Sequence, residues 1–164
     1  MTKTGVTEQP RTENVSEPPL APAAQAILRG VQRVLKDHGF ESLAEVVLAN
    51  GRRADALALG PHGELWIVEI KSSISDFRSD GKWQEYRDYC DRLFFAVSPE
   101  FPSEILPGNA GLIFADRYGG EIIREPLEMR LAPARRKAVT IAFARVAAAR
   151  LLNALETPIP GNTP

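Results

Sequence analysis

The segment 65–71 places the strongest constraint on what this chain can fold into. Four apolar residues, Leu-Trp-Ile-Val, run directly into Glu69, and such a run is typical of a strand buried on both faces of a sheet. Lys71 follows two positions later, so the strand period predicts that Glu69 and Lys71 point to one face. Because a buried carboxylate or ammonium is costly without a partner, the sequence predicts a polar site at the end of this strand.

Asp55 is a second isolated charge, inside the apolar strand that precedes this one. The Gly-Pro-His-Gly sequence between the strands predicts a hairpin in which Gly60 pairs with Glu64 and Gly63 takes the left-handed conformation. In that register Asp55 lies opposite Glu69, with Cβ atoms about 4.5–5.5 Å apart. Two such carboxylates repel each other unless a proton or a cation lies between them. Hard oxygen ligands of this kind predict Mg²⁺ or Mn²⁺ as the cofactor.

Lys71 adds a positive charge to the predicted site. An ammonium beside a bound cation can orient or deprotonate an attacking water, and it can offset charge that develops on a phosphate. Asp55, Glu69 and Lys71 together therefore predict a metal-dependent phosphodiesterase site. The residues alone leave one alternative open, a structural salt bridge from Lys71 to Glu69 or Asp55 at the end of the sheet.

Hydrophobic periodicity and turn signals predict one α/β domain over residues 23–156. Proline-rich residues 1–22 and the tail 157–164 are predicted to be disordered. Short loops favour a meander of the first three strands, and the crossover that follows permits a parallel neighbour in a mixed sheet flanked by helices. The predicted helices are 23–38, 82–90 and 134–155, and the predicted strands are 40–49, 53–59, 64–71, 93–97, 112–115 and 121–124.

Composition excludes several classes of site. With one cysteine, Cys90, and two histidines, the chain can form no internal disulfide, and a thiolate or imidazole metal cage is almost excluded. The net charge of −1 argues against coating of nucleic acid by bulk charge. The sequence lacks a secretory signal pattern and an uninterrupted apolar run of about 20 residues. We therefore expect a cytoplasmic protein without a membrane partner.

A local basic surface is compatible with this net charge. The stretch from Met129 to Glu156 contains no acid before its last residue. This pattern predicts either a surface that contacts DNA or a solvated helix face, and it does not decide between them. The cations of the stretch are Arg130, Arg135, Arg136, Lys137, Arg145 and Arg150.

The residues of the predicted site also resemble a known superfamily. Asp55, a hairpin and Glu69-Ile70-Lys71, followed by a helix and a strand, are similar to the PD-(D/E)XK nucleases over about residues 23–97. The wider sequence resembles the MmcB family of bacterial DNA repair proteins over most of the domain. The segments that carry this second resemblance are Arg53-Ala54-Asp55, Glu69-Ile70-Lys71-Ser72, Asp76-Phe77-Arg78-Ser79-Asp80-Gly81-Lys82-Trp83 and Tyr89-Cys90-Asp91.

The resemblance implies a restriction-endonuclease-like core in the order α-β-β-β-α-β, a divalent metal and a role in DNA repair. It implies Asp55 and Glu69 as metal ligands and Lys71 as the catalytic lysine. Many members of the superfamily carry an additional glutamate in the first helix, whereas residues 23–38 contain none. Glu45, on the first strand, is the predicted substitute. Without such a substitute, weaker metal binding is expected.

The leading prediction is a divalent-metal-dependent nuclease acting on DNA. The sequence does not determine the structure of that DNA, and branched and single-stranded DNA are both candidates. A catalytically inactive nuclease-fold module that binds DNA or a repair partner is the alternative, and an RNA nuclease is a third. A repair-protein partner or a homodimer also stays open. The polar stretch 72–82 is predicted to contact phosphate beside the site, and an ordinary crossover loop is the alternative. The residues predicted to contact DNA are Arg53, Ser73, Arg78, Lys82, Arg135, Arg136 and Lys137, with Tyr86 stacking on an unpaired base.

Overall fold

A six-stranded mixed sheet forms the centre of the computed structural model, which describes residues 19–156. Neighbouring strands pair antiparallel in β1–β2–β3 and in β5–β6, and parallel in β3–β4–β5. This is the predicted α/β fold with a mixed sheet. The strands lie in chain order: β1 Glu41–Val47, β2 Arg53–Leu59, β3 Leu65–Ile70, β4 Arg92–Val97, β5 Gly111–Ala115 and β6 Gly120–Arg124.

Helices cover both faces of the sheet. On one face α1, Pro22–Asp37, buries a stripe at helical spacing that includes Ile27, Val31 and Val34. On the other face lie α3, Pro133–Glu156, and a 3₁₀ helix, Trp83–Tyr89. The remaining helices are α2, Ile74–Ser79, and a short 3₁₀ turn, Ser103–Ile105.

The β2–β3 hairpin has the predicted register. Leu59 pairs with Leu65, and the Gly60 N–H donates to the Glu64 carbonyl at 2.8 Å. Gly63 has a φ of 86°, a conformation that glycine adopts without the steric cost a side chain would add. The turn chemistry therefore fixes which residues of the two strands face each other.

Two local predictions differ from the structure. The polar stretch after β3 contains α2, which Ser73 caps by accepting a hydrogen bond from the Asp76 N–H at 3.1 Å. The predicted disordered segments mostly fall outside the described residues 19–156. Their inner boundary is one residue off, because α1 begins at Pro22, and proline is favoured in the first turn of a helix.

The helix α3 is unusually exposed for its composition. Of its 24 residues only Val139 and Phe143 are buried. An 18-residue window has a mean hydropathy of 1.5, so by length and composition alone α3 is long and apolar enough to cross a membrane. A single helix that passes this test is weak evidence for a membrane span.

Asp91 lies directly before β4. Its hydrogen bonds join the sheet to the segment of chain that leads into α3. Its buried carboxylate accepts hydrogen bonds from the backbone N–H groups of Leu65 (2.8 Å) and Leu131 (2.9 Å). Both terminal nitrogens of Arg136 also donate to it, at 2.6 and 2.7 Å. Burial alone would raise the pKa of Asp91, but Arg136 and the two N–H groups lower it below its ordinary value.

Asp91→Asn should therefore destabilise the protein by about 2–4 kcal/mol, because a bidentate charged pair and a buried acceptor are lost together. Urea denaturation near neutral pH measures this change. Since the folded-state pKa lies below the ordinary 3.8, the stabilisation is present above that pH and is lost as the pH falls through the folded-state pKa. The wild-type advantage over Asp91→Asn should accordingly shrink below about pH 4.

Asp88→Asn is the matched control, because Asp88 is exposed on the 3₁₀ helix. Its effect should stay within about 0.5 kcal/mol. Equal stability of the two variants, or an unchanged difference between Asp91→Asn and wild type in acid, would contradict the role of Asp91 as an anchor.

Candidate active site

The two predicted acids meet where the β2–β3 ladder ends. The last backbone pair of that ladder is Ala56–Val68, and the same register places Asp55 opposite Glu69. Beyond this pair, carboxylate side chains accept the hydrogen bonds of the backbone N–H groups. The Asp55 N–H donates to Glu69 Oε1 at 3.2 Å, and the Ile70 N–H donates to Asp55 Oδ2 at 2.8 Å. Each carboxylate is thus oriented by the backbone of the opposite strand.

Both carboxylates are buried, with exposed fractions of 9% for Asp55 and 3% for Glu69. Burial raises the pKa of Asp55 to about 6, although the Ile70 N–H and Lys71 act in the opposite direction. Burial raises the pKa of Glu69 well above its ordinary value, and the charge of Asp55 raises it further. Burial and mutual repulsion therefore make it unfavourable for both groups to be ionised together.

The donor set fits a small divalent cation. One oxygen of each carboxylate accepts a hydrogen bond from a backbone N–H. Within residues 19–156 no hydrogen bond reaches the other oxygen, which is Oδ1 of Asp55 and Oε2 of Glu69. Two carboxylates suit Mg²⁺ or Mn²⁺, which usually complete their coordination with water and substrate phosphate. Across the same residues no cluster of three or more histidine, cysteine, aspartate or glutamate side chains is arranged to hold a metal ion. A cation bound between the two strands would be held by Asp55 and Glu69, which face each other there.

Lys71 lies on the same side of the site but pairs with Asp80. Its Nζ donates to Asp80 Oδ2 at 2.8 Å, and Arg52 holds the other oxygen of Asp80 at 2.9 Å. Burial by itself would lower the pKa of Lys71, but the Asp80 hydrogen bond and the Glu69 charge raise it overall. The ammonium is therefore charged at neutral pH. The described ion pairs do not join Lys71 to Asp55 or Glu69, so the predicted salt-bridge alternative is absent from this part of the chain.

A polar cavity of about 500 Å³ opens over these groups. Leu20, Ala21 and Ala24, at the amino end of α1, form part of its wall. None of them is acidic, so this end of α1 brings no third carboxylate to the site. The individually predicted residues on its wall are Arg53, Asp55, Glu69, Lys71 and Tyr86. Four more belong to the polar stretch predicted beside the site, Ser72, Asp76, Ser79 and Asp80, and no sequence signal indicated Arg52.

Comparison with known proteins identifies the family. A family model described as DNA repair protein MmcB-like matches residues 12–158. The chain belongs to the MmcB-like family. A solved structure, the SPO1766 protein of unknown function from Silicibacter pomeroyi, is 48% identical, with a TM-score of 0.80 over 88% of this chain and 97% of its own. No curated protein matches the chain.

Glu45, the predicted substitute for the glutamate that the first helix lacks, lies outside the cavity lining. The β1–β2 register puts it opposite Asp55, but its backbone has a φ of 50° and its carboxylate lies 3.5 Å from an Arg53 nitrogen. The prediction that Glu45 is a third metal ligand is therefore not supported by the structure.

Two predicted DNA contacts need correction. The Tyr86 ring is only 4% exposed and the Arg52 guanidinium lies over it at 4.6 Å, so it offers no face to a base. Its hydroxyl donates to the Arg53 carbonyl at 2.9 Å, which fixes the backbone next to Asp55. The Arg136 guanidinium is engaged by Asp91 and by the Gly63 carbonyl and serves the fold.

The other predicted DNA contacts are distributed over two regions. Ser73 caps α2 at the rim of the site, and Arg78 and Lys82 are exposed on either side of Asp80. Arg135 lies over the Tyr89 ring at 4.8 Å, and neither Arg135 nor Lys137 lines the cavity. Contact between DNA and these residues stays a prediction. Arg78 and Lys82 do not line the cavity either, but they are close in sequence to Asp80, which does.

Proposed function

We propose that this MmcB-like protein is a divalent-metal-dependent nuclease that hydrolyses phosphodiester bonds of DNA during repair. The observation that carries the proposal is the pair Asp55 and Glu69. These two buried carboxylates have raised pKa values, face each other across a hairpin and lie beside a charged lysine in a polar cavity. Two carboxylates this close repel each other unless a proton or a cation lies between them, and a divalent cation would relieve the repulsion with both groups ionised.

The chain's own residues divide the chemistry among them. Asp55 and Glu69 would hold the cation, which when bound lowers the pKa of a water and offsets phosphate charge. Lys71 is charged, so it acts as a hydrogen-bond donor to a phosphate oxygen or to the attacking water and not as the base. Asp80, itself held by Arg52, positions the Lys71 ammonium.

The experiment is a cleavage assay on end-labelled single-stranded, flapped and branched DNA. We expect products with Mg²⁺ or Mn²⁺, and none with EDTA or with Glu69→Gln purified in parallel as the control for contaminating nucleases. Equal cleavage by the wild type and by Glu69→Gln would overturn the proposal.

A non-catalytic DNA-binding module is the second candidate, and one observation favours it. The amino end of α1 lines the cavity without an acid, so the site offers only two carboxylates that face each other. Binding of DNA with no cleavage under Mg²⁺ or Mn²⁺ would establish this second function and exclude the first.

Removing the two cations beside the site should weaken DNA binding in a salt-dependent way. The double variant Arg78→Ala/Lys82→Ala loses up to two phosphate contacts, so the slope of log K against log[salt] should become less steep by about 1.8 on duplex DNA. Fluorescence anisotropy at several salt concentrations measures the slope.

The double variant Arg29→Ala/Lys36→Ala is the matched control, because it removes two exposed cations from α1. It should leave the slope unchanged. The same slope for both double variants would show that DNA does not approach the protein through Arg78 and Lys82.

A further inference from the structure

One stripe of α3 faces the domain. Its members follow one another at intervals of three, four and seven residues, as expected for one side of a helix. Val139 and Phe143 are buried, Arg136 pairs with Asp91, and Arg150 donates to the carbonyl groups of Ala44 and Glu45. These contacts fix the rotation of α3 about its own axis and therefore define which residues point away from the domain.

The opposite side of α3 carries a second apolar stripe, which we call the α3 seam. All five of its residues are exposed, including Ile141 at 49%, Leu151 at 62% and Leu155 at 75%. Their spacing of 3-4-3-4 is that of the contact positions in a coiled coil. The α3 seam consists of Ile141, Ala144, Ala148, Leu151 and Leu155.

The seam has no partner within residues 19–156. A contiguous apolar surface of this kind marks an interaction site on a soluble domain. Among the described contacts, Arg150 is what ties the carboxyl half of α3 to the sheet. An unpacked helical segment of about a dozen residues is only marginally stable in water, so a partner along the seam would stabilise the carboxyl half of α3.

We propose that the α3 seam pairs with the α3 seam of a second copy of this chain, antiparallel, with the twofold axis at Ala148. In this arrangement Ile141 faces Leu155 of the partner subunit, and Ala144 faces Leu151 of the partner subunit. Large residues then meet small ones along the middle of the seam, and the alanines at the axis allow close approach. A parallel pair would stack alanine on alanine and leave gaps that a close-packed interface does not tolerate.

Charge favours the same orientation. Arg135 and Lys137 lie near the amino end of α3, and Glu156, its only acid, is the last residue. Antiparallel pairing brings Glu156 of the partner subunit towards Lys137, whereas parallel pairing puts like charges side by side. The opposed helix dipoles act in the same direction.

The size of the seam predicts the strength of the dimer. Residues 141–155 extend over about 21 Å of helix. An interface made by one such helix pair falls at the small end of specific interfaces, below about 1,200 Å². We therefore expect a dimer in the micromolar range that dissociates on dilution.

Sedimentation equilibrium across the micromolar range is the first test. The wild type should convert from monomer to dimer, whereas Ala148→Glu should stay monomeric because it places two carboxylates at the axis. Ala149→Glu is the matched control, because Ala149 is exposed but lies off the seam, and it should dimerise like the wild type. Circular dichroism verifies that both variants keep their helix content.

Cysteine crosslinking tests the orientation and does not depend on whether Ala148→Glu folds. Under mild oxidation, Ala144→Cys mixed with Leu151→Cys should give crosslinked dimers, and either variant alone should give few. Crosslinking of each variant with itself, but not in the mixture, would overturn the antiparallel arrangement.

Three further results would overturn the proposal. The first is a wild type that stays monomeric at every concentration. The second is a monomeric wild type that co-sediments with anionic phospholipid vesicles, because the seam would then bind a membrane surface. The third is a dimer formed only after removal of residues 157–164, because the chain's own tail then covers the seam.

Discussion

Asp55→Asn and Glu69→Gln should each reduce metal-dependent DNA cleavage by at least about a thousandfold. Each change removes one of the two charges that would hold the cation but keeps the size of the side chain. The amide oxygens can still accept from the Ile70 and Asp55 N–H groups that orient the carboxylates in the wild type. Single-turnover cleavage rates measure the loss without interference from product release.

The same substitutions should leave the metal-free fold as stable as the wild type or more stable. The pKa of Asp55 is raised to about 6 from 3.8, so in the folded state ionisation of this group is unfavourable. A raised carboxyl pKa means that folding stability falls as the pH rises from about 4 to 6 and stays lower above that range. Asp55→Asn should therefore gain on the order of 1–3 kcal/mol over the metal-free wild type near neutral pH.

Glu45→Gln is the control for the cleavage measurement. It also removes a carboxylate opposite Asp55 in the β1–β2 register, but from outside the cavity. It should keep cleavage within a few-fold of the wild type. Loss of activity in Glu45→Gln equal to that in Asp55→Asn would show that Glu45 is a ligand after all.

Lys71→Ala should lose cleavage by about 10²–10⁴-fold and keep metal binding. Removing the ammonium takes away a donor to the reacting phosphate, but it also takes a positive charge from beside the cation site. Asp80 remains paired with Arg52 in this variant, so no buried carboxylate is left alone. Comparing metal affinity and cleavage rate in one variant separates the lysine from the carboxylates.

Asp80→Asn distinguishes positioning from chemistry. It weakens the hold on Lys71 but leaves the ammonium in place, so its cleavage defect should be smaller than that of Lys71→Ala. If Lys71→Ala cleaved DNA at the wild-type rate and Asp55→Asn did not cleave it, catalysis would need the metal but not the lysine. This result would contradict the role proposed for Lys71.

The sheet and the acid pair could be predicted because local signals determine them. The apolar run before Glu69 indicates a buried strand, and the glycines of the hairpin set its register, so the position of Asp55 follows from chain geometry. Once the loop is known to be three residues long, the opposition of Asp55 and Glu69 needs no tertiary information.

The partners of the site could not be predicted in the same way. Asp80 pairs with Lys71 because α2 lies between them in the chain and brings them together. The stretch that forms α2 is rich in serine and aspartate and lacks the apolar periodicity that would predict a helix. The predicted α-helix 82–90 would place Tyr86 one turn after Lys82, on the same face. The segment is a 3₁₀ helix, in which every third residue shares a face, so Tyr86 and Tyr89 turn together into the core.

The cations of α3 show a further limit of sequence patterns. A run of residues without acids predicts a basic surface. It does not indicate which of its cations will form an ion pair with a carboxylate from a distant part of the chain. Arg136 forms an ion pair with Asp91, which lies 45 positions earlier in the chain. Such a pair depends on the packing of α3 against the sheet, which charge pattern alone does not encode.

Calorimetric titration of Mn²⁺ into the metal-free protein near neutral pH tests the central claim most directly. We predict one ion bound per wild-type chain, with proton release, since the raised carboxyl pKa values mean that binding displaces protons. Neither Asp55→Asn nor Glu69→Gln should bind it. Binding of equal strength by the wild type and both variants would contradict the claim that these two carboxylates form a metal site.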